Sequence, residues 1–109
     1  MDMHILDLRE QKTDIKQKCK AMLFEIASYR SRGGRILKIM HSTEKSLTAS
    51  IHRDLRKLKQ EKRLVCYIPS EKYHTGTPEV LYIIDKLPWV AEDKDLGAGP
   101  DLFTVVFLG

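Results

Sequence analysis

The chain lacks the features that mark membrane-spanning and secreted proteins. It contains no run of about 18 consecutive apolar residues, which is the length that a transmembrane helix requires. Its first residues carry Asp2, Asp7 and Glu10 where a secretion signal has basic residues followed by a long apolar stretch. These absences predict a cytoplasmic protein without a membrane partner.

Cysteine is scarce, and its placement argues against a metal site. Cys19 and Cys66 are the two cysteines; Cys19 shares the apolar face of the first predicted helix with Ile15 and Met22, and Cys66 stands among apolar residues of a predicted strand, which is typical of small buried thiols. No C-x-x-C pair occurs, and the four histidines do not show the spacing of metal ligands. We therefore expect no metal.

The sequence also lacks the motifs of common catalytic sites. It has no glycine-rich phosphate loop, no nucleophile elbow and no evident pair of catalytic carboxylates. Its serines fall in expected turns and helix caps, where structural roles are ordinary. We expect no enzymatic activity and no cofactor, while an effector pocket stays open because no motif names its ligand.

Basic residues are concentrated in one part of the chain. Residues 30–63 hold eleven Lys and Arg against three Asp and Glu, which is a net charge of +8, whereas the whole chain has a net charge of +4. Such a concentration is typical of a surface that meets phosphate groups. A basic surface that serves solubility is the alternative. The length of 109 residues fits one compact unit.

Apolar spacing predicts the strongest helix over residues 47–62. Leu47, Ile51, Leu55 and Leu58 recur at intervals of four, four and three, which places them on one face of a helix. The opposite face is polar and mostly basic. This helix is therefore built to enter a core on one side and to meet an anionic partner on the other.

Two further helices are predicted before it, over residues 14–31 and 35–41. Gly33 and Gly34 end the first of these, since glycine is common just past a helix C-terminus. Residues 4–8, which precede the first helix, fit either a strand or the segment that leads into that helix. Candidate N-cap residues are Thr13 or Asp14 for the first helix and Ser46 or Thr48 for the third.

Two strands and an intervening loop are predicted next. Residues 64–68 and 79–84 are rich in β-branched and aromatic residues, and the polar loop 71–77 lies between them. Residues 91–100 are acidic and glycine-rich, which predicts a flexible linker. The order of basic helix and hairpin is that of a winged helix-turn-helix.

The apolar, β-prone run at residues 102–108 requires a pairing partner. An unpaired run of this kind is an aggregation hazard. Three partners are open: this chain's own sheet, a second copy of the chain, or another protein.

A family resemblance rests on residues 50–65, whose sequence is SIHRDLRKLKQEKRLV. It is similar to the recognition helix and first wing strand of winged helix-turn-helix transcriptional regulators, and the likeness covers residues 14–84. Many members have a glycine before the wing strand, where this chain has Lys62 and Arg63. The resemblance implies an α+β fold in which residues 1–86 form three helices and a β-hairpin wing. Residues 87–109 then form an extension.

The resemblance also implies how DNA would be contacted. The helix at 47–62 would read the major groove of double-stranded DNA, and the 71–77 wing would touch the backbone or the minor groove. Asp54 would pair with a basic side chain of the protein itself. The implied base-reading residues are Thr48, Ala49, His52, Arg53 and Arg56, the implied phosphate contacts are Lys57, Lys59 and Gln60, and the implied wing contacts are Lys72, Tyr73 and His74.

These features together predict a small, sequence-specific transcriptional regulator of the kind found in phages and mobile elements. A single module of this size buries limited surface on DNA. We therefore expect a homodimer on two half-sites about 34–36 Å apart, joined through the first helix or the C-terminal strand. A replication or plasmid-maintenance factor would use the same contacts. The alternative from another class is a winged-helix module that binds proteins in a larger assembly and does not bind DNA.

Overall fold

The computed structural model describes residues 3–9, 13–42, 44–97 and 103–109. They form a four-stranded sheet with helices on both faces. The strands are β1 (His4–Asp7), β2 (Ile36–Met40), β3 (Cys66–Pro69) and β4 (Phe103–Phe107). The helices are α1 (Ile15–Ser31), α2 (Lys45–Gln60) and α3 (Pro78–Lys86), with short 3-10 helices at Ser70–Lys72 and Pro88–Glu92.

The strand order in the sheet is β1-β2-β4-β3. β1 pairs in parallel with β2, and β4 runs antiparallel to both of its neighbours, β2 and β3. The strands β1, β2 and β3 therefore point in one direction. As a result, the carboxyl ends of β2 and β3 lie at the same edge of the sheet, beside the first residues of β4.

Each face of the sheet carries its own apolar core. Side chains of a strand alternate between the two faces, so neighbouring residues of β2 enter different cores. The first core joins α1 and α2 to the sheet and includes Met22, Ile26, Leu37, Ile39, Ile51, Leu55 and Val106. The second core joins α3 and the Pro88–Glu92 turn to the other face and includes Ile36, Ile68, Val80, Ile83, Val90, Val105 and Phe107.

The predicted short helix at 35–41 is wrong, because these residues contain β2. Four of its five residues are buried, since the strand is covered on both faces. A strand buried on both sides shows a continuous apolar run in place of alternation. Over so few residues that run has no periodicity to separate it from a buried helical turn.

The predictions for α1 and α2 are confirmed within a few residues. Asp14 is the N-cap of α1, where its side chain accepts a hydrogen bond from the Gln17 N–H at 2.8 Å. The cap expected for α2 at Ser46 or Thr48 is wrong, because α2 begins at Lys45 and Glu44 is its N-cap residue. After α2, Lys62 has a φ of 59°, so a lysine takes the left-handed conformation usually given to glycine.

The second wing strand expected at 79–84 is also wrong, because this segment belongs to α3. Pro78 occupies the first turn of the helix, where proline costs no hydrogen bond, and Glu79 lies in the same turn. Val80 and Ile83 are buried at helical spacing. The strand predicted at 64–68 corresponds to β3, which pairs with β4. A hairpin between 64–68 and 79–84 is therefore absent from the described residues.

The C-terminal run pairs within the chain's own sheet, which is the first of its three expected partners. β4 lies between β2 and β3, so both of its edges are occupied. It therefore offers no free edge for the expected dimer contact. The predicted linker at 91–100 is ordered where it is described, because residues 88–92 form a 3-10 helix and Asp93 and Asp95 bind Lys38. Residues 98–100 lie outside the described residues.

A buried ion-pair network ties this segment to the centre of the sheet. The Nζ of Lys38 lies 3.0 Å from Asp93 and 2.6 Å from Asp95, and its side chain is 2 % exposed. The Tyr73 hydroxyl donates to Asp93 at 2.6 Å. Burial works against the charged form of Asp93, but the hydrogen bonds from Tyr73 and Lys38 lower its pKa. Burial and the Asp93 carboxylate raise the pKa of Tyr73.

The fold class expected from the sequence is confirmed as mixed α+β, with three helices among the described residues. The arrangement of a winged helix-turn-helix is not seen, because its second helix and its wing are replaced by β2 and α3. Within the described ranges, no helix has both the length and the apolar character needed to cross a membrane.

Candidate nucleic-acid interface

A polar pocket of about 310 Å³ lies at the sheet edge where β2 and β3 end. One wall is the first half of α2, and the opposite wall is the segment that follows β3. In open α/β sheets, ligands commonly bind outside the carboxyl ends of the strands. The pocket is lined by His41, Lys45, Thr48, Ala49, His52, Pro69, Ser70, Glu71, Phe103 and Thr104.

Two histidines share one hydroxyl group in this pocket. The Oγ1 of Thr104 lies 2.9 Å from the Nε2 of His41 and 3.0 Å from the Nε2 of His52. The Nδ1 of His41 lies 3.0 Å from the carbonyl oxygen of Ser42, which can only accept a hydrogen bond. In neutral His41, Nδ1 therefore carries the proton and Nε2 accepts from Thr104. The Thr104 oxygen then accepts from the Nε2–H of His52.

The surroundings of His52 favour its neutral form. Burial lowers its pKa below the ordinary value of 6.5, and the neighbouring His41 and Arg56 lower it further, while Glu71 acts in the opposite direction. The imidazole is therefore uncharged near neutral pH. It acts as a hydrogen-bond donor that ties α2 to β4, and it does not contribute a fixed positive charge.

The bridge between the two histidines predicts the effect of Thr104→Val. Thr104 is fully buried, so the isosteric valine leaves the buried Nε2 of His41 without a donor. We expect the free energy of unfolding to fall by about 2 kcal/mol. Urea unfolding of Thr104→Val measures this change, and Thr75→Val at an exposed position is the matched control. Equal stability of both variants would contradict the bridge.

The predicted contacts of α2 divide between the two sides of the helix. Thr48 and His52 face the polar pocket together with Lys45, and the charge of Arg56 acts on His52. Lys59 continues along the same side, because its charge acts on Cys66 of β3. We call Lys45, Thr48, His52, Arg56 and Lys59 the β3-side ridge.

The other predicted contacts lie beyond this ridge. Ala49 is exposed where the outer face of α2 meets the polar pocket, which it also lines, and Gln60 is exposed on the outer face. Arg53 and Lys57 line the groove between α1 and α2. Asp54 lies 3.5 Å from the Nε of Arg53, so it pairs with a basic side chain of the protein, as predicted.

The cations of the β3-side ridge are available to a partner. Lys45, Arg56 and Lys59 are exposed, and none of them lies within ion-pair distance of a described acidic group. Ion pairs with neighbouring carboxylates would have neutralised this surface. Three exposed cations along one side of a helix form an electropositive strip about 21 Å long, from Lys45 to Lys59.

The three residues expected in the wing differ in their exposure to solvent. Lys72 is exposed in the 3-10 helix after β3, and His74 is exposed in the following turn, where its Nδ1 accepts from the Gly76 N–H at 3.1 Å. Tyr73 as a DNA contact is wrong. It is 1 % exposed and belongs to the core under α3, where its ring lies against Phe103.

The sequence patterns did not identify His41, Lys45 and Thr104 as members of the pocket. His41 stands directly after an apolar run, which is the position of a polar residue at the carboxyl end of a buried strand. Thr104 is the polar residue within the otherwise apolar run of β4. Both signals become readable once residues 36–40 are assigned to a strand.

Neither the metal-ligand chemistry of the described residues nor a comparison with known proteins assigns a ligand to this site. Among the residues that the structure describes, no group of three or more His, Cys, Asp or Glu is arranged to hold a metal ion. Cys19 and Cys66 are buried free thiols, as predicted. No family model matches the chain, and no curated protein or solved structure shows significant similarity to it.

Proposed function

We propose that this protein binds double-stranded DNA, with α2 lying along the duplex. The observation that carries the proposal is the β3-side ridge, where Lys45, Arg56 and Lys59 are exposed and unpaired among the described residues. Phosphate contacts supply most of the affinity of sequence-independent DNA binding, because each neutralised phosphate releases counterions. A strip of cations on one rigid helix suits that role.

The structure changes the roles proposed for individual residues. His52 is neutral and bound to Thr104, and Thr48 is half-buried beside it. In this proposal, both residues hold the cationic side of α2 in place and do not read bases. Base edges would be met by the outer face of α2, where Ala49 is small and Arg53 is 71 % exposed in its side chain. A bidentate contact from arginine to guanine discriminates by about 1–3 kcal/mol.

The remaining DNA contacts of the proposal are secondary. Lys57 and Gln60 are exposed on α2, and Lys72 and His74 are exposed after β3, so all four are available for phosphate contacts. This mode of binding does not require a wing. Membership of the winged helix-turn-helix regulators, a regulatory role and a homodimer stay predictions, and α1 is the remaining candidate for the dimer contact.

The salt dependence of DNA binding tests the ridge directly. The logarithm of the binding constant falls with the logarithm of salt concentration by about 0.9 per neutralised phosphate. We expect Arg56→Gln/Lys59→Gln to reduce this slope by about 2 and to weaken binding at low salt. Fluorescence anisotropy with a labelled random-sequence duplex, measured over a salt series, provides the slopes.

The matched control is Lys86→Gln/Lys94→Gln, which removes the same charge from exposed residues on the α3 side of the sheet. The control should retain the wild-type slope. Equal slopes for the two double variants would mean that only net charge matters, which contradicts a role for the ridge. Absence of wild-type binding at low salt would contradict DNA binding itself.

A further inference from the structure

A second surface lies on the opposite side of α2, in the groove that α2 forms with α1. Two adjoining pockets of about 660 and 380 Å³ make up the groove, and both are lined by Leu23 and Asp54. The groove extends along α1 from Lys16 to Arg30, which is about 21 Å at the rise of an α-helix. Its length corresponds to four turns of a helix lying in it.

The floor of the groove is aliphatic. Leu23 and Leu58 are half-buried there, and Ala27 is exposed. Phe24 follows Leu23 on α1, is 74 % exposed and extends the apolar surface beyond the groove. An aliphatic groove with an exposed aromatic side chain beside it is the kind of apolar surface that interaction sites present.

The walls of the groove carry uncompensated positive charge. Lys16, Lys20 and Arg30 on α1 and Lys57 on α2 are exposed, and no described acidic group lies within ion-pair distance of them. The two acidic residues of the groove are already engaged. Asp54 lies 3.5 Å from Arg53, and Glu61 lies 3.5 Å from Arg63.

We propose that this groove binds an acidic amphipathic helix of a partner protein. Helices of that kind place apolar anchors at positions i, i+3, i+4 and i+7 into an apolar groove. The aliphatic floor fits those anchors, and the four free cations complement carboxylates on both flanks of the helix. Complementary charge of this kind favours association and fixes the orientation of the partner.

Nucleic acid fits the groove less well than it fits the β3-side ridge. Proteins that hold single strands offer aromatic rings on which bases stack. The lining of the groove is aliphatic between its charged walls, and Phe24 lies outside that lining. The ridge and the groove flank α2 on opposite sides, so Lys16 and Lys20 can be altered while the ridge keeps its residues. Arg53 and Lys57 line the groove and are also proposed DNA contacts, so the test leaves both unchanged.

Binding of a designed peptide tests the proposal. The probe is a labelled, end-capped peptide of about 15 residues, with leucine at positions i, i+3, i+4, i+7 and i+11, glutamate at the positions beside this stripe and alanine elsewhere to favour a helix. We expect saturable binding in fluorescence anisotropy. A scrambled peptide of the same composition and a version with lysine in place of glutamate should bind at least tenfold more weakly.

Two double variants separate this surface from the DNA-binding ridge. Lys16→Gln/Lys20→Gln should weaken the peptide about tenfold and leave the salt slope of DNA binding unchanged. Arg56→Gln/Lys59→Gln should do the reverse. Leu23→Ser should also weaken peptide binding. Lys16→Gln/Lys20→Gln changes exposed side chains alone, so it tests the groove without altering the core.

Three results would overturn the groove as a helix-binding site. They are no saturable binding of the acidic peptide, equal binding of its scrambled form, and unchanged peptide affinity in Lys16→Gln/Lys20→Gln. If that variant instead loses affinity for a single-stranded oligonucleotide and keeps the peptide, the groove is a nucleic-acid site. Failure of DNA binding in the wild type leaves these peptide results fully interpretable.

Discussion

Replacing Lys38 with methionine should lower the free energy of unfolding by about 3 kcal/mol. The substitution leaves Asp93 and Asp95 facing the space that the Nζ of Lys38 occupied, at 3.0 and 2.6 Å from them. Removing one partner of a buried ion pair costs far more than the net value of the pair, because the remaining charge is no longer compensated. Urea unfolding at neutral pH measures the change.

The comparison variant for Lys38→Met is Lys86→Met. Lys86 forms an exposed pair with Asp85 at 3.7 Å, and such pairs contribute at most about 1 kcal/mol. The pKa of Asp93 is lowered in the folded protein, so its charge stabilises the fold above the ordinary carboxyl range, and this stabilisation is lost as the pH falls below about 4. The difference between wild type and Lys38→Met should therefore narrow in acid. Equal stability of Lys38→Met and Lys86→Met would contradict the network.

Truncation of Ile83 to alanine should also cost about 3 kcal/mol, whereas truncation of Leu81 should change stability by less than about 0.5 kcal/mol. Ile83 and Leu81 both belong to α3; Ile83 is fully buried in the second core, and Leu81 is 52 % exposed. Within a helix these two positions are separated by about 200°, so one faces the core and the other faces solvent. Urea unfolding of Ile83→Ala and Leu81→Ala measures both effects.

The same pair of variants separates the helix from the wing strand that the sequence suggested. A strand would place residues 81 and 83 on one face, because side chains alternate with a period of two. The two truncations would then cost similar amounts. Similar costs for Ile83→Ala and Leu81→Ala would contradict α3.

Sequence patterns identified the two long helices and the segments that form β3 and β4, and they failed at β2 and α3. α1 and α2 extend over enough turns for their apolar spacing to be distinctive. β2 has five residues and is buried on both faces, so its pattern fits a helix as well as a strand. α3 has nine residues rich in valine, isoleucine and tyrosine, whose β-propensity was overridden by helix start signals and packing.

Only those features of the interface that depend on residues close together in the sequence could be predicted. The charge of the chain and the periodicity of α2 located Arg56 and Lys59 on a solvent-facing side, because both properties depend on neighbouring residues. The contacts that shape the pocket join distant parts of the chain: His41 and Thr104 are 63 positions apart. Lys38 and Asp93 are 55 positions apart, and their pairing depends on where β4 inserts in the sheet. One sequence contains no signal for such pairings.

Amide chemical-shift mapping of the labelled protein with a random-sequence duplex shows, residue by residue, whether α2 contacts DNA. We expect shifts concentrated on α2 at Lys45, Ala49, Arg53, Arg56 and Lys59, with smaller changes at Thr48, His52, His41 and Thr104 and none along α3. Shifts spread evenly over the surface, shifts confined to α3, or no shifts at low salt would contradict the β3-side ridge as the DNA-binding surface.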